Sequence, residues 1–335
     1  MMDLSKLAAA ASADSPQGLG ASAPIPGRTL YLDGDGLCYV CAGNDDTDVG
    51  QARTNLFNKI NTTRKACAAS RVVILMTGQG SPKGDRYYVA RQAPYQGQRS
   101  GSSRPKNWTY LRQFLSGDIE VPAYGQVRVH TERYLEADDC FSVASQRKGA
   151  ENIVICTQDK DMRMVPGHHL NWDDYSMCYV SPGTWSAEHN GKVFGRKWFW
   201  LQMMHGDKAD NIPGLPYYTD GSVVKSGPNK GQEKRTKVGD KCAILADLDT
   251  ITNDRAAAQW ALQYYKTCYG DTFSTCLAML EQGILLWIRP TADVFSVAEP
   301  GNPLYAMSLR DDWPDLQAAI RQRIHQGTQQ QAEPV

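Results

Sequence analysis

The hydrophobic residues in the first half of the chain fall in short continuous runs. Four such runs, rich in aliphatic and β-branched residues, lie at 29–32, 71–76, 126–130 and 152–156. Continuous runs of this length predict strands buried on both faces, as in a parallel sheet. Helical stretches are predicted between them at 51–69, 107–116 and 137–148. The alternation predicts an α/β domain whose central, mostly parallel sheet is flanked by helices.

After about residue 190 the pattern changes to apolar residues at helical spacing, which predicts helices at 196–205, 238–248, 255–268 and 273–288. Residues 216–236, rich in Gly, Ser, Lys and Tyr, predict a loop. The apolar stretch in residues 1–27 is too short for a signal peptide, so a disordered tail is expected there. The resulting division is a tail at 1–27, an α/β domain at 28–190 with a basic region at about 80–112, a helical subdomain at 191–300, and an extension at 301–335 that is disordered after about residue 320.

Acidic residues recur where the predicted strands end or the predicted helices begin. They are Asp33, Asp35, Glu136, Asp138, Asp139, Asp159, Asp161, Asp207 and Asp210. Because the carboxyl ends of parallel strands share one edge of an open sheet, we expect these acids to converge there. Oxygen ligands select Mg²⁺ or Mn²⁺, and two such ions suit phosphodiester hydrolysis. Each cluster alone is also typical of a helix cap or an Asp-Gly turn, so it is their joint occurrence that favours a metal site.

The charge of the chain is unevenly distributed. Lys and Arg number 36, as do Asp and Glu, and this balance excludes a uniformly basic nucleic-acid binder. Residues 51–112, however, carry twelve Lys and Arg against one acid, a net charge of +11, and residues 192–241 carry ten against five. Aromatic residues are interleaved in the first stretch: Tyr87, Tyr88, Tyr95, Trp108 and Tyr110. Cations that contact phosphates and rings that stack on bases suit a nucleic-acid strand that passes the site. The alternative is a solvated helix face, which the near absence of acids disfavours.

Four short segments carry these nine acids in a characteristic order: Leu32–Gly36, Leu135–Asp139, Thr157–Asp161 and Gly206–Gly214. In this order they resemble the 5′–3′ exonuclease and flap endonuclease family, with the closest similarity to phage-encoded 5′–3′ exonucleases. The resemblance covers about residues 29–290 and includes Leu285–Arg289. It implies a PIN-like α/β nuclease core, in which the basic region at 80–112 is the arch, followed by a helical duplex-binding subdomain of helix-hairpin-helix type.

The resemblance implies a two-metal nuclease that hydrolyses DNA from or near 5′ ends, without sequence preference, in phage-type replication or recombination. It implies that the nine acids hold or surround Mg²⁺ or Mn²⁺, and that catalysis depends on Asp33, Glu136, Asp138, Asp139 and Arg99. The chain departs from the family pattern at two places. Gln96 replaces the lysine of a basic signature at Pro94–Arg99, and no acid follows the second strand at Thr77–Gln79, where Asp35 would take its place.

The candidate DNA-binding residues are Lys83, Arg86, Arg91, Tyr95, Gln96, Arg99, Arg104, Lys106, Gly239 and Lys241. Among them Lys83, Arg86, Arg91 and Lys106 could each supply the charge that Gln96 lacks, and the sequence does not choose between them. Segment 237–243 resembles the second half of a helix-hairpin-helix, whose partner turn would be Pro213–Gly214. In that motif backbone N–H groups approach a phosphate, and the resemblance implies a K⁺ ion held by backbone carbonyls.

Two rival functions stay open. A PIN-like ribonuclease uses a similar carboxylate cluster, and a non-catalytic flap-DNA-binding protein could keep the fold after losing turnover. No run reaches about 18 apolar residues, the length of a membrane span, so we expect no membrane association. We also expect a monomer, located in the cytoplasm, which is the host's if the protein is phage-encoded. Of nine cysteines only Cys38 and Cys41 have metal-type spacing, and no second pair or suitably spaced histidine accompanies them, so reduced buried thiols are expected.

Overall fold

The computed structural model describes residues 23–99 and 103–332, and it divides the chain into two compact units. The first unit comprises the described residues of 1–84 and 101–182, and the second those of 85–100 and 183–335. Segment 85–100, which the sequence placed in the α/β domain, therefore groups with the helical part. Residues 1–22 of the predicted tail lie outside the described residues, whereas Ile25 already begins a strand.

The first unit is built on one sheet. Its strands are β1 Ile25–Asp33, β2 Ala69–Thr77, β3 Ile119–Val121, β4 Gly125–Glu132, β5 Ile153–Cys156, β6 Gly167–Leu170 and β7 Met177–Val180. Their spatial order is β3-β4-β2-β1-β5-β6-β7, with β4, β2, β1, β5 and β6 parallel and the two outer strands antiparallel. The prediction of a central, mostly parallel sheet is confirmed, and the four predicted strands form its middle.

The helices are numbered along the whole chain: α1 Gly34–Cys41, α2 Val49–Ala66, α3 Arg86–Val89, α4 Trp108–Phe114, α5 Ala137–Lys148, α6 Arg196–His205, α7 Asp254–Tyr269, α8 Thr272–Leu286, α9 Tyr305–Ser308 and α10 Trp313–Ala332. Helices α1, α2, α4 and α5 belong to the first unit. Fully buried Leu32 and Ile74 of the sheet share a hydrophobic core with Leu37 of α1 and with Leu56 and Ile60 of α2. No helix within the described ranges combines the length and the apolar character of a membrane span.

The strand order creates a switch point at the carboxyl edge of the sheet. The chain runs from β1 outward to β2 and β4, and then returns to place β5 on the other side of β1. Open α/β sheets bind ligands where the strand order reverses in this way. Asp33 ends β1 at this point and Thr157 directly follows β5, and the Thr157 hydroxyl donates to Asp33 Oδ2 at 2.9 Å. The fold therefore places the first predicted acid at the switch point.

The second unit contains α3, α6 to α10 and a hairpin of β8 Ala187–His189 and β9 Lys192–Phe194. Three of its four predicted helices are confirmed as α6, α7 and α8. The helix predicted at 238–248 is wrong, because the chain there forms turns and then a 3-10 helix at Ala243–Asp249. Its buried residues, Leu245 and Leu248, lie three apart, a spacing that suits three residues per turn.

Two other regions predicted to lack regular structure are ordered differently. The chain after residue 320 was predicted to be disordered, but α10 continues to Ala332, with Leu316 and Ile320 fully buried and Arg323 paired to Glu281 of α8 at 2.7 Å. Residues 333–335 lie outside the described residues. Within the predicted loop 216–236, isolated bridges join Tyr218 to Thr236 and Val223 to Glu233. The first half of α10 is therefore anchored by buried side chains and an ion pair, which the Gln-rich composition further along does not reveal.

Candidate active site

The first predicted acidic pair is fixed by the end of β1 and the start of α1. Asp33 caps α1, since its Oδ1 accepts the Gly36 N–H at 2.9 Å. Asp35, in the first turn, accepts the Thr77 N–H at 3.2 Å and forms an ion pair with Arg112. Burial raises the pKa of Asp33, the Gly36 hydrogen bond opposes this, and the nearby charge of Asp35 raises it further. Asp33 therefore faces the site, while Asp35 is held by its own cation.

The second acidic group opens α5. Glu136 is the N-cap and forms a capping box with Asp139: each side chain accepts a hydrogen bond from the other residue's backbone N–H, with Glu136 N to Asp139 Oδ2 at 3.1 Å. Asp139 is fully buried, and its side chain caps the start of the helix. Asp138 lies between the two in the first helical turn. The capping box fixes the backbone that carries Asp138.

The third acidic group follows β5. Asp159 caps the 3-10 helix Lys160–Met164 by accepting the Asp161 N–H at 2.8 Å, and its own N–H donates to the Thr157 hydroxyl at 3.0 Å. Asp161 is buried and forms an ion pair with Lys160 at 3.2 Å. The same hydroxyl of Thr157 donates to Asp33. Thr157 thus links the Asp33 carboxylate at the end of β1 to the backbone of Asp159 after β5.

Asp138 is the point where these groups meet. Burial raises the pKa of Asp138 well above its usual value, and the charges of four nearby carboxylates raise it further: Asp159, Asp33, Glu136 and Asp139. Carboxylates repel one another in this way only when they are close and poorly solvated. The convergence that the sequence predicted is therefore present within the first unit for Asp33, Glu136, Asp138, Asp139 and Asp159.

Three of the predicted DNA-binding cations lie in the first unit. Lys83 contacts the acidic group directly, with its Nζ 3.0 Å from Glu136 Oε1. The guanidinium of Arg104 stacks on the Trp108 ring at 4.1 Å, and Lys106 donates to the Asp45 carbonyl at 2.9 Å. Of these three, Lys83 is the one that the structure places against a predicted metal ligand.

In the second unit, the loop Gly206–Gly214 closes on itself. The backbones of Asp207 and Ile212 exchange N–H donors at 2.8 and 2.7 Å, and Asp207 Oδ1 accepts the Ala209 N–H at 2.8 Å. Gly206 and Gly214 both have positive φ and lie in backbone contact, since a Cβ on Gly214 would lie 2.3 Å from the Gly206 nitrogen. The glycines at both ends of this motif therefore have a steric reason, and the loop presents Asp210 in a fixed backbone.

Gly214→Ala is expected to destabilise the protein by about 3–5 kcal/mol. The added Cβ would clash with backbone atoms, and alanine would also have to adopt the unfavourable left-handed conformation. Gly221→Ala is the matched control: Gly221 has a similar positive φ of 77°, but nothing lies within 4 Å of the added Cβ. Its expected cost is about 1–2 kcal/mol. Urea unfolding of the two variants measures the difference, and equal losses would contradict the close approach of Gly206 and Gly214.

Asp210 collects the side chains of the predicted basic signature, all within the second unit. Its carboxylate accepts hydrogen bonds from Tyr95 Oη and from Gln96 Nε2, each at 2.9 Å, and forms an ion pair with Arg99. Its backbone carbonyl accepts the Gln96 N–H at 2.8 Å. The structure therefore ties segment 94–99 to Asp210, and Gln96, which replaces the expected lysine, donates to a carboxylate.

The other predicted DNA-binding residues of the second unit have different surroundings. Arg86 is 1% exposed and donates to the Trp287 carbonyl at 2.8 Å, which places its guanidinium in the interior. The backbone N–H of Arg91 donates to Glu281 Oε1 at 2.8 Å. Gly239 and Lys241 lie in the turns before the 3-10 helix. Segment 237–243 therefore lacks the helix that a helix-hairpin-helix would require there.

The structure resembles solved 5′ nucleases from bacteriophage T5. It matches T5 5′-exonuclease with bound zinc ions at a TM-score of 0.50 and 14% identity, covering 89% of this chain and 100% of that one. It matches the bacteriophage T5 flap endonuclease, in a pseudo-enzyme-product complex with DNA and metal ions, at a TM-score of 0.50 and 14% identity, covering 89% and 99%. The chain has the 5′-nuclease fold. No protein-family model matches the sequence, and no curated protein matches it significantly.

Within this 5′-nuclease fold, the sequence pattern does not predict three residues of the site. Thr77 lies at the end of β2, where the family pattern would have an acid. Its hydroxyl accepts the Ala137 N–H at 3.0 Å and so connects β2 to the start of α5. Arg112, one of the cations of the basic stretch, pairs with Asp35 and donates to the Thr77 carbonyl at 2.5 Å. Thr157, the first residue of the Thr157–Asp161 segment, links Asp33 and Asp159. The one sequence signal was their position at strand ends or in a basic stretch.

Proposed function

We propose that the protein is a metal-dependent 5′ nuclease, which hydrolyses DNA phosphodiesters from or near 5′ ends. The observation that carries the proposal is the crowding of Asp138 by four other carboxylates near the switch point of the sheet. Such crowding is costly for stability and is typical of a site built for cations. The 5′-nuclease fold supports the reaction class, and the complex of the T5 flap endonuclease with DNA and metal ions supports the substrate.

The donor set fits Mg²⁺ or Mn²⁺, because oxygen-only ligands select hard divalent cations. In the first unit, Asp33, Glu136, Asp138 and Asp159 would hold the ions. Bound ions would supply positive charge that polarises the phosphodiester and the attacking water. Asp139 positions α5 through the capping box, and Asp35 balances Arg112. The roles of Asp161, Asp207 and Asp210 as further ligands, and a K⁺ site at 237–243, stay predictions.

Lys83 is the cation that we assign to the phosphate beside the acidic group. Its ammonium lies 3.0 Å from Glu136, and its side chain is 17% exposed, so it is already partly desolvated at the place where a phosphate would arrive. A charge in such a site stabilises developing negative charge more strongly than one in water. Lys83 thus provides the cation that Gln96 does not, from another position in the chain.

Lys83→Ala is expected to lower kcat by about 10²–10³-fold, the usual effect of removing one electrostatic donor from an active site. Single-turnover cleavage of a 5′-flap substrate with saturating Mg²⁺ measures it. Lys65→Ala, which removes an exposed lysine of α2, is the matched control and should retain full activity. Equal rates for the two variants would contradict the role of Lys83.

The experiment that tests the proposed function compares a DNA flap and an RNA flap of the same sequence, each labelled at its 5′ end, with and without Mg²⁺. We expect Mg²⁺-dependent release of the label from DNA. Preferential cleavage of RNA would instead support the PIN-like ribonuclease. Tight flap binding without cleavage in Mg²⁺ or Mn²⁺ would support the non-catalytic binding protein, a rival that Gln96 and the absent acid after β2 keep open.

A further inference from the structure

A second group of potential metal ligands lies on β4 and α5 of the first unit. His130 and Glu132 are two residues apart on β4, so their side chains share one face of the sheet. Cys140 of α5 lies against the same face. One ligand atom from each of the three residues lies within 4.8 Å of the other two. The three donors are an imidazole nitrogen, a carboxylate oxygen and a thiol sulfur, the set from which zinc sites are built.

The carboxylate of Glu132 is held in a fixed orientation. Its Oε1 accepts backbone N–H donors from Arg133, Tyr134 and Leu135 at 2.9, 2.9 and 3.2 Å. Its Oε2 then lies 3.5 Å from His130 Nε2 and 3.8 Å from Cys140 Sγ. Because three donors occupy one oxygen, the other is directed at the two remaining ligands without further rearrangement.

The two separations from Glu132 Oε2 are close to those of ligands around a single tetrahedral ion. Zinc bonds of about 2.0–2.3 Å place neighbouring ligand atoms about 3.3–3.7 Å apart. The observed 3.5 Å is within that range, and 3.8 Å exceeds it by about a tenth of an ångström. A small inward movement of the His130 side chain, which is 43% exposed, would complete the geometry. Its exposure also provides an entry path for the ion and a fourth position for water.

We infer that His130, Glu132 and Cys140 form a Zn²⁺ site separate from the oxygen-only carboxylate group. Nitrogen and sulfur donors select Zn²⁺ over Mg²⁺, whereas the carboxylate group of Asp138 favours the harder ion. Cys140 binds as the thiolate and releases its proton to solvent as the metal binds. The ion would join β4 to the second turn of α5, the helix whose first residues carry Asp138 and Asp139. Zinc here would therefore clamp the helix that presents the acidic group.

Zinc binding to the full chain, with Mg²⁺ in large excess to occupy the carboxylate group, tests the inference. We expect the wild type to retain one equivalent of Zn²⁺ in the presence of a chelator. His130→Ala and Cys140→Ala should each lower the affinity for Zn²⁺ at least about tenfold. Zinc should raise the Tm of the wild type and leave that of His130→Ala unchanged. Cys178→Ala, which removes a half-buried thiol of β7 outside the group, is the control and should bind as the wild type does.

Cobalt substitution identifies the sulfur independently. The thiolate-to-cobalt charge-transfer absorption should appear in the wild type and in Cys178→Ala and be absent from Cys140→Ala. Its persistence in Cys140→Ala, or equal Zn²⁺ affinity in the wild type and His130→Ala, would overturn the site. If Cys140→Ala fails to fold, the surface variant His130→Ala decides the question alone. None of these readouts depends on cleavage, so the site and the proposed nuclease function can fail separately.

Discussion

Asp138→Asn is expected to reduce Mg²⁺-dependent cleavage by at least about 10³-fold while making the metal-free protein more stable. The loss of activity follows because Asp138 is the carboxylate on which the charges of Asp159, Asp33, Glu136 and Asp139 converge. An amide of the same shape removes one negative ligand and with it the site for a divalent ion.

The gain in stability follows from the direction of the pKa shift. Because folding raises the pKa of Asp138, the folded state binds its proton more tightly than the unfolded chain does. This tighter binding of the proton stabilises the folded state fully below the ordinary aspartate pKa of 3.8. The stabilisation is lost as the pH rises through the folded-state pKa of Asp138. Above the folded-state pKa the wild type carries the full repulsion and the amide does not, so we expect Asp138→Asn to gain about 1–2 kcal/mol there.

Unfolding in urea over a range of pH from 4 to 9, without and with Mg²⁺, measures this difference. Mg²⁺ should stabilise the wild type and have little effect on Asp138→Asn, because the repulsion that the ion relieves is absent from the variant. Asp46→Asn, at an exposed position of the same unit, is the control and should change neither activity nor stability. A destabilised Asp138→Asn with normal cleavage would contradict both parts of the expectation.

Asp210→Ala is expected to lower cleavage by about 10²-fold or more, whether or not Asp210 also contacts an ion. Its carboxylate holds Tyr95, Gln96 and Arg99, so the variant loses three hydrogen-bonded contacts to segment 94–99 at once. If this segment binds a phosphate of the substrate, its loss of a fixed position should lower kcat as well as the affinity for the substrate.

Hydrogen exchange at residues 94–99, measured beside kcat and KM, separates positioning from other effects. Exchange in this segment should accelerate in Asp210→Ala, because the hydrogen bonds that fix it are gone. Asp311→Ala removes an exposed carboxylate of the same unit and should leave both exchange and kinetics unchanged. Unaltered exchange in Asp210→Ala would show that segment 94–99 is held by other contacts.

The middle of the sheet was predictable because its signals are local. The runs that become β1, β2, β4 and β5 are apolar on both faces, and the acids follow them directly in sequence. Helix α1 was not predicted, because Asp33 to Gly36 has the composition of a turn and also that of a capped helix start. Only the burial of Leu37, Cys38 and Cys41 against the core decides between the two.

The residues that the sequence misjudged depend on contacts between distant parts of the chain. Arg112 and Asp35 are 77 residues apart, and nothing local indicates that they pair. From the sequence, Arg86 is one more cation of a basic stretch. In the structure its guanidinium is buried and donates a hydrogen bond to the carbonyl of Trp287, 201 residues away. Net charge along a segment therefore predicted which region is basic but not which of its cations reach the surface.

Cleavage mapping on a 5′-flap, a nicked duplex and a blunt duplex side by side, each labelled in separate experiments at the 5′ and the 3′ end, tests the proposed function most directly. With Mg²⁺ we expect cuts at or near the 5′ end of the labelled DNA strand, lost in EDTA and in Asp138→Asn. No cleavage with Mg²⁺ or Mn²⁺, cleavage that begins at 3′ ends, or full activity of Asp138→Asn would contradict a 5′ nuclease whose ions are held by the acidic group around Asp138.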